Sequence, residues 1–212
     1  MIQLFQQKQK LLNLSTNYSF DREFTNFIHN LALRKIYQIL KWEEVHTDSS
    51  YLEDVDRNIG IDYFFNDADG KKVSIQERFR EKKYSKYNDF TIRYRRDFSK
   101  DPDRKLSEFF KMKADVLVYG ITNGSKRYNS RHTLTDFLKW VVIDLNFLRE
   151  QFINGQMKII RSASTNCRIE SGILLCPVNF NRDSSSSFIP IDIPLLHSLW
   201  GTKAILAQKG YY

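Results

Sequence analysis

Long hydrophobic runs are missing from this 212-residue sequence. None approaches the roughly 18–20 apolar residues of a bilayer-spanning helix, so a helical membrane protein is excluded. The opening residues, MIQLFQQKQKLLNLS, also lack the compact apolar core and small-residue cleavage site of a secretory signal, which makes an intracellular, cytoplasmic protein the expectation. Cysteine and histidine are scarce, two and four respectively. Neither shows metal-ligand spacing, which excludes a zinc module. Cys167 and Cys176 flank RIESGILL, a segment suited to a hairpin that sets the two thiols face to face. They stay free in most cytosols and form a disulfide in the cytosol of a hyperthermophile, and the sequence leaves both outcomes open. Internal repeats and separable linkers are absent as well, so a single decorated domain is expected over residues 1–212.

What is present points to a packed core and a polyanion. Hydrophobic residues make up 42%, with sixteen Phe and eleven Tyr, which is globular rather than disordered composition. Net charge is +8, and its distribution matters more than its size. Between Lys71 and Lys113 fifteen Lys and Arg face seven Asp and Glu, leaving 18 of each sign elsewhere. One segment therefore carries the whole basic excess, as a nucleic-acid-binding face does. The competing reading is a solvated, charge-rich surface. Arginine-rich strands are less common than lysine-rich helices, and they favour nucleic acid.

A helix is expected from Ser19, capped by Ser19 or Asp21, because Phe24, Phe27, Ile28, Leu31, Ile36, Ile39 and Leu40 recur at helical spacing. Residues 46–58 read as a polar, acidic connection. Two apolar runs follow, IGIDYFF and KKVSIQERFR, around the turn cluster NDADG, and predict a hairpin over Ile59–Arg80. A third strand, DFTIRYRRD, alternates Phe90, Ile92 and Tyr94 with Thr91, Arg93 and Arg95, so one face packs and the other is basic. Pro102 suits a first helical turn, with Leu106, Phe109 and Phe110 as its apolar stripe. ADVLVYGIT then reads as a strand covered on both faces. This order implies an α/β fold with a mixed sheet. Beyond it, apolar residues at helical spacing (Phe137, Leu138, Val141, Val142, Leu145, Leu148 and Phe152) predict one helix over Thr133–Asn154. MKIIRSAS and GILLCPV read as strands, NRDSSSS as a loop and PLLHSLWG as a short helix.

Asp62 is the residue that burial does not explain. It sits inside an apolar run, where an unpaired carboxylate is costly, so it is paired, protonated or bound to a metal. On the partner strand, alternation puts Val73, Ile75, Glu77 and Phe79 on one face and Ser74, Gln76, Arg78 and Arg80 on the other. An Asp facing residues i and i+2 of a neighbouring strand can hold a hard cation and set a guanidinium beside it, as phosphodiester hydrolysis requires. The competing structural role is an Asp62–Arg78 ion pair. Arg80, Lys82, Lys83, Lys86, Arg93, Arg95 and Arg96 are the candidate phosphate contacts. Tyr84 and Tyr87 either stack on unpaired bases or pack as ordinary aromatics. His46 and His132 read as surface residues.

The pattern GIDYFF–turn–VSIQERFR resembles the core motif of the PD-(D/E)XK nuclease superfamily, where an Asp on one strand pairs with (D/E)-x-K on the next. The expected order of helix, three strands, helix and strand resembles its restriction-endonuclease-like core. That core would cover about residues 19–122, roughly half the chain, with a helix-and-strand extension over 123–212. Within the superfamily the chain is most similar to archaeal Holliday-junction-cleaving enzymes, which carry a Glu at the start of their first helix, where this chain has DREF. The resemblance implies a Mg²⁺- or Mn²⁺-dependent DNA endonuclease acting on branched or junction DNA in replication, repair or recombination, as a homodimer. Asp62 with Gln76 or Glu77 would hold the metal, Asp21 (or Glu23 in its place) would assist, and Arg78 would stabilise charge. The texture also resembles nuclease-like proteins of spindle-shaped viruses of hot-spring archaea, which implies a host cytoplasm. Two departures stand out: Gln76 and Arg78 replace the acid and the Lys. Gln still offers one carbonyl oxygen, while Arg keeps the cation but cannot act as a base. Glu77 substitutes for Gln76 only if a bulge turns it inward. The alternative implied by the same fold is a catalytically impaired DNA-binding protein.

Overall fold

The structure, a computed structural model, describes residues 25, 27–96, 108–125, 134–181 and 186–212. The start of the first helix with Ser19, Asp21, Glu23 and Phe24, the Pro102–Leu106 turn, His132 and most of NRDSSSS lie outside the described residues. No helix among the described residues is long and apolar enough to cross a membrane.

Helix α1 is described at residues 27–40 and widens into a π-helical turn at Leu33–Tyr37. The wider turn lets both Ile36 and Tyr37 point inward, and each is buried. Strand β1 (Glu43–Glu44) is followed by a second helix, α2 (Ser49–Ile59), in the stretch that reads as an acidic connection. Its N-cap is Asp48, whose carboxylate accepts the backbone N–H groups of Ser50 at 2.9 Å and Tyr51 at 3.2 Å. Its end is Gly60 at φ 63°, where only glycine is unstrained, and the turn there delivers the chain into the next strand.

Strands β2 (Tyr63–Asn66) and β3 (Lys72–Arg80) form the expected antiparallel hairpin, with Tyr63 opposite Ile75 and Phe65 opposite Val73. In its turn Asp67 accepts the N–H groups of Asp69 and Lys71. Strand β4 (Asp89–Arg95) and helix α3 (Glu108–Lys111) come next, then β5 (Val116–Thr122), in which every residue is buried. The remainder holds β6 (Phe137–Asp144), α4 (Leu145–Ile153), β7 (Met157–Ile160), β8 (Arg168–Glu170), β9 (Ile173–Pro177), β10 (Asn179–Phe180), β11 (Ser187–Asp192), α5 (Ile193–Trp200) and β12 (Ile205–Lys209).

The protein is a mixed α/β fold. Its main sheet has the order β1-β2-β3-β5-β6-β12, antiparallel throughout except for the parallel β3–β5 pair. Two three-stranded sheets, β10-β11-β4 and β7-β9-β8, complete it. One face of the main sheet packs on α1, through Phe65, Ile75, Val118 and Val142 against Ile28, Leu31 and Ile36. The other packs on the two smaller sheets and on α4 and α5, through Leu117, Tyr119 and Ile143 against Phe90, Ile189, Leu148 and Leu196.

Two expectations are corrected here. Strand β4 is not the third strand of the main sheet. Both edges of β3 are taken, by β2 and β5, so β4 pairs with β11 instead. The single helix expected over Thr133–Asn154 is a strand followed by a helix. Trp140, Val141, Val142 and Ile143 form a consecutive, largely β-branched run that fills both faces of β6. Asp144 then caps α4, accepting the Phe147 N–H at 2.8 Å. The helical-looking stripe arose from joining two elements of different period.

Gly120, in the centre of β5, lies under two aromatic rings. A Cβ there would come within 2.8 Å of the Phe137 ring and 3.2 Å of Phe79. Gly120→Ala is expected to destabilise by about 1–3 kcal/mol through overpacking. In a chain of this size that is roughly 2–4 °C of Tm per kcal/mol, read by thermal unfolding.

Candidate functional site

The β2–β3 hairpin sets the site. Asp62 precedes β2, and its N–H donates at 2.8 Å to the O of Ile75, the residue that Tyr63 faces, so the chain enters the ladder irregularly at Asp62. On β3, Gln76, Arg78 and Arg80 share one face by strand alternation. Asp62 Oδ2 also accepts the Glu77 N–H at 2.7 Å, and the carboxyl of Asp56, one turn before the end of α2, is hydrogen-bonded beside it. Burial pushes the Asp62 carboxyl well above the usual carboxylate range, and the charges of Asp56 and Glu77 push the same way against the Glu77 N–H. Asp56 was hidden in the sequence because its stretch reads as a connection. The signal was there in the Asp48 cap, Leu52, Val55 and Ile59 at helical spacing, and Gly60 as the stop.

Glu77 takes the face of β3 opposite to Gln76 and Arg78. The β3–β5 ladder runs without a shift from Ile75 to Arg80, so no bulge in β3 turns Glu77 onto the Gln76 face. Its carboxylate instead accepts from His29 Nδ1 at 3.0 Å and from the Tyr37 hydroxyl at 2.7 Å, both on α1. His29 stacks on Tyr63 at 3.7 Å between centroids, and its Nε2 lies 3.4 Å from Glu44 Oε1, an ion pair longer than a good hydrogen bond. Burial alone would lower the His29 pKa. The hydrogen bond and charge of Glu77, with Glu44 behind them, outweigh it and hold the imidazole above its ordinary 6.5. This cluster joins residues 48 apart in sequence, and no local pattern announces it. A raised histidine stabilises fully below its unfolded pKa and loses that contribution as pH rises through the folded one. Unfolding stability should therefore fall above about pH 6.5, on the order of 1 kcal/mol. His29→Gln should flatten that slope, as denaturant melts across pH would show.

The basic residues gather where β3 meets the second sheet. Arg78 Nη1 donates to Thr91 O at 2.7 Å, and Arg80 donates to the Thr91 hydroxyl. The guanidinium of Arg80 lies 5.0 Å from the Tyr84 ring centre, and Lys83 and Lys86 approach the Tyr84 and Tyr87 rings at 5.2 and 5.1 Å. Lys82, Lys83 and Lys86 are exposed around a 3-10 turn at Lys82–Tyr84, with Lys83 paired to Glu81 at 2.6 Å. On β4 the expected alternation holds: Phe90 and Ile92 are buried while Thr91 and Arg93 line a cleft. Arg95 is exposed, within 5.3 Å of the Tyr94 ring centre, and Arg96 is half-buried just beyond β4. The cleft, about 580 Å³, runs between Arg78, Arg80 and Tyr119 on one wall and Arg93, Phe188 and Pro190 on the other.

The remaining candidates separate from this surface. His46 is exposed, as expected. Cys167 and Cys176 are free and face each other across the β8–β9 hairpin, with the two thiols hydrogen-bonded and Cys167 Sγ 3.0 Å from Pro190 O.

A divalent metal is implied by the resemblance, and the donor set can be judged against it. Asp62 and Asp56 bring two carboxyl groups together, the oxygen chemistry that Mg²⁺ and Mn²⁺ take. Among the described residues no three His, Cys, Asp or Glu gather into one group, so a third protein donor would have to come from another residue type, such as the Gln76 amide on β3. Asp21 lies outside the described residues. The chain matches no protein-family model, no curated protein and no solved structure.

Proposed function

We propose that this chain is a metal-dependent DNA endonuclease of PD-(D/E)XK type, cutting branched or junction DNA. The observation that carries the reading is the buried Asp62 carboxyl at the start of the hairpin, held by the Glu77 N–H of β3 and hydrogen-bonded to the carboxyl of Asp56. The meander β1-β2-β3 and the parallel step to β5 support a restriction-endonuclease-like core, in which β1 takes the place expected for β4.

Asp62, Asp56 and Gln76 would hold Mg²⁺ or Mn²⁺, with Asp56 restoring the negative charge that Gln76 lacks. When bound, such an ion supplies a more acidic water and neutralises charge on the phosphate. The Glu77 N–H fixes the Asp62 carboxylate, so its position is set by the β2–β3 ladder. Arg78 keeps its proton and serves to stabilise phosphate charge, not as a base. The basic 3-10 turn and the Arg93 wall would hold the flanking phosphates. Matched cuts in two strands require a twofold pair of sites, so the active species on this reading is a homodimer, which light scattering would detect as twice the 25.2 kDa chain.

A second reading, a nuclease-fold protein that binds DNA without cutting it, is favoured by one observation. The only acid on β3, Glu77, is committed to His29 and Tyr37 on the far face. Incubation of four-way junction, duplex and single-stranded DNA in Mg²⁺ and in Mn²⁺, beside Asp62→Ala, separates the two. Cleavage by the parent and none by the variant is expected. No cleavage under any condition leaves the binding reading, and cleavage that survives Asp62→Ala removes the site assignment.

A further inference from the structure

The cleft between the main sheet and the second sheet is larger and more varied than phosphate contact needs. A phosphate-tracking surface calls for cations and little else, yet this cavity also carries aromatic rings and amide side chains. Its volume, about 580 Å³, falls within the roughly 300–1,000 Å³ of small-ligand pockets. It has room for one nucleotide and not for a paired, stacked duplex.

Three kinds of group line it. Arg78, Arg80 and Arg93 bring guanidinium groups from both walls, the forked donors that suit phosphate. Tyr84, Tyr87, Phe180 and Phe188 bring ring faces; Phe180 is 62% exposed and Tyr87 48%, although each lies on the cavity wall. Exposed aromatics beside arginines are the stacking platforms on which unpaired bases settle. Asn166, Asn179, Asn181 and Asp89 add amide and carboxyl groups able to pair with a base edge. A bare anion uses only the first kind, an apolar ligand only the second, and a nucleotide all three. The place of the cleft fits as well. At about 3.3 Å per residue along β3, Arg78 and Arg80 stand roughly 7 and 13 Å beyond Gln76. A strand held there would run along β3 toward Gln76 and the start of the hairpin.

From this convergence we infer that the cleft is a pocket for a single unpaired nucleotide of a nucleic-acid strand, with its phosphate on the arginines and its base against Phe180 and Tyr87. The pocket rests on the reading of this face as a nucleic-acid surface, and not on hydrolysis at Asp62.

The test is a fluorescence titration, in EDTA, of a short single strand carrying 2-aminopurine in deoxy and in ribo form, beside a blunt duplex with the same base paired inside it. Quenching of at least one single-stranded probe and not of the duplex is expected, and the stronger of the two tells which sugar the pocket takes. Phe180→Ala and Tyr87→Ala should each weaken single-strand binding about fivefold or more, with duplex affinity unchanged. Both side chains are exposed, so unaltered melting should verify the fold. No quenching, equal losses on duplex and single strand, or competition by inorganic pyrophosphate as tight as the oligonucleotide would each overturn the pocket. Because no metal is present, this result is independent of cleavage. Intact single-strand binding without any cutting in Mg²⁺ or Mn²⁺ would refute the nuclease reading alone.

Discussion

Asp62→Asn should abolish cleavage and raise the melting temperature at the same time. The loss follows from the removal of a charged donor at the centre of the site, and at least about 10²-fold is the scale on which such groups are felt. The gain follows from burial. Asp62 is held well above the usual carboxylate range by desolvation and by the neighbouring charge of Asp56, so its ionised form weighs against the native state. Asn keeps an oxygen to accept the Glu77 N–H and carries no charge to desolvate. For a raised carboxyl, the stabilisation due to the protonated form is complete below the unfolded value of 3.8 and is lost as pH rises through the folded pKa. The advantage of Asn over Asp should therefore be absent in acid and appear above that pH. About 0.5–2 kcal/mol is typical when a functional strain is removed. Thermal melts of the two proteins in EDTA, from pH 3 to 8, read the effect. A variant that is inactive but no more stable at neutral pH would show that Asp62 is not strained.

Duplex affinity should fall about a thousandfold or more between 50 and 200 mM salt if most of the seven candidate cations meet phosphates. The variants sharpen this. Lys82→Ala with Lys86→Ala should lower the slope of log K against log salt by about two, one per phosphate contact. Lys83→Ala should change it less, since Glu81 already lies 2.6 Å from its ammonium. Equal contributions from all three lysines would mean that the Glu81 pair opens on binding.

The local features of this fold were legible. The NDADG turn, the alternation of β4 and the doubly covered β5 all follow from periods of two and from turn chemistry, and each stands where the residues place it. The facing of Cys167 and Cys176 was equally readable, because a hairpin fixes its own register. Partner choice was not. Nothing within β4 says that Ile92 lies opposite Ile189, nor does Glu77 reveal that its carboxylate belongs to α1. For residues 137–153 the period itself misled, since the β-branched run of β6 and the first turn of α4 join into a stripe that imitates one helix. At the site, the burial of Asp62 at the mouth of the hairpin was readable from its apolar run, while Asp56 required the helix that its acidic surroundings concealed.

The pairing of β4 with β11 also sets an order of events on the ribosome. Ser187 hydroxyl meets Arg95 O across 92 residues of chain. Contacts this distant form late, because closure of the intervening loop must precede any gain from them. A nascent chain that has emerged as far as residue 160 already contains both strands of the Asp62–Gln76 hairpin. Of the second wall of the arginine cleft it has Arg93 alone, since Phe188 and Pro190 are still to be made. The nucleic-acid surface is thus completed during the last quarter of synthesis, after the hairpin that would do the cutting.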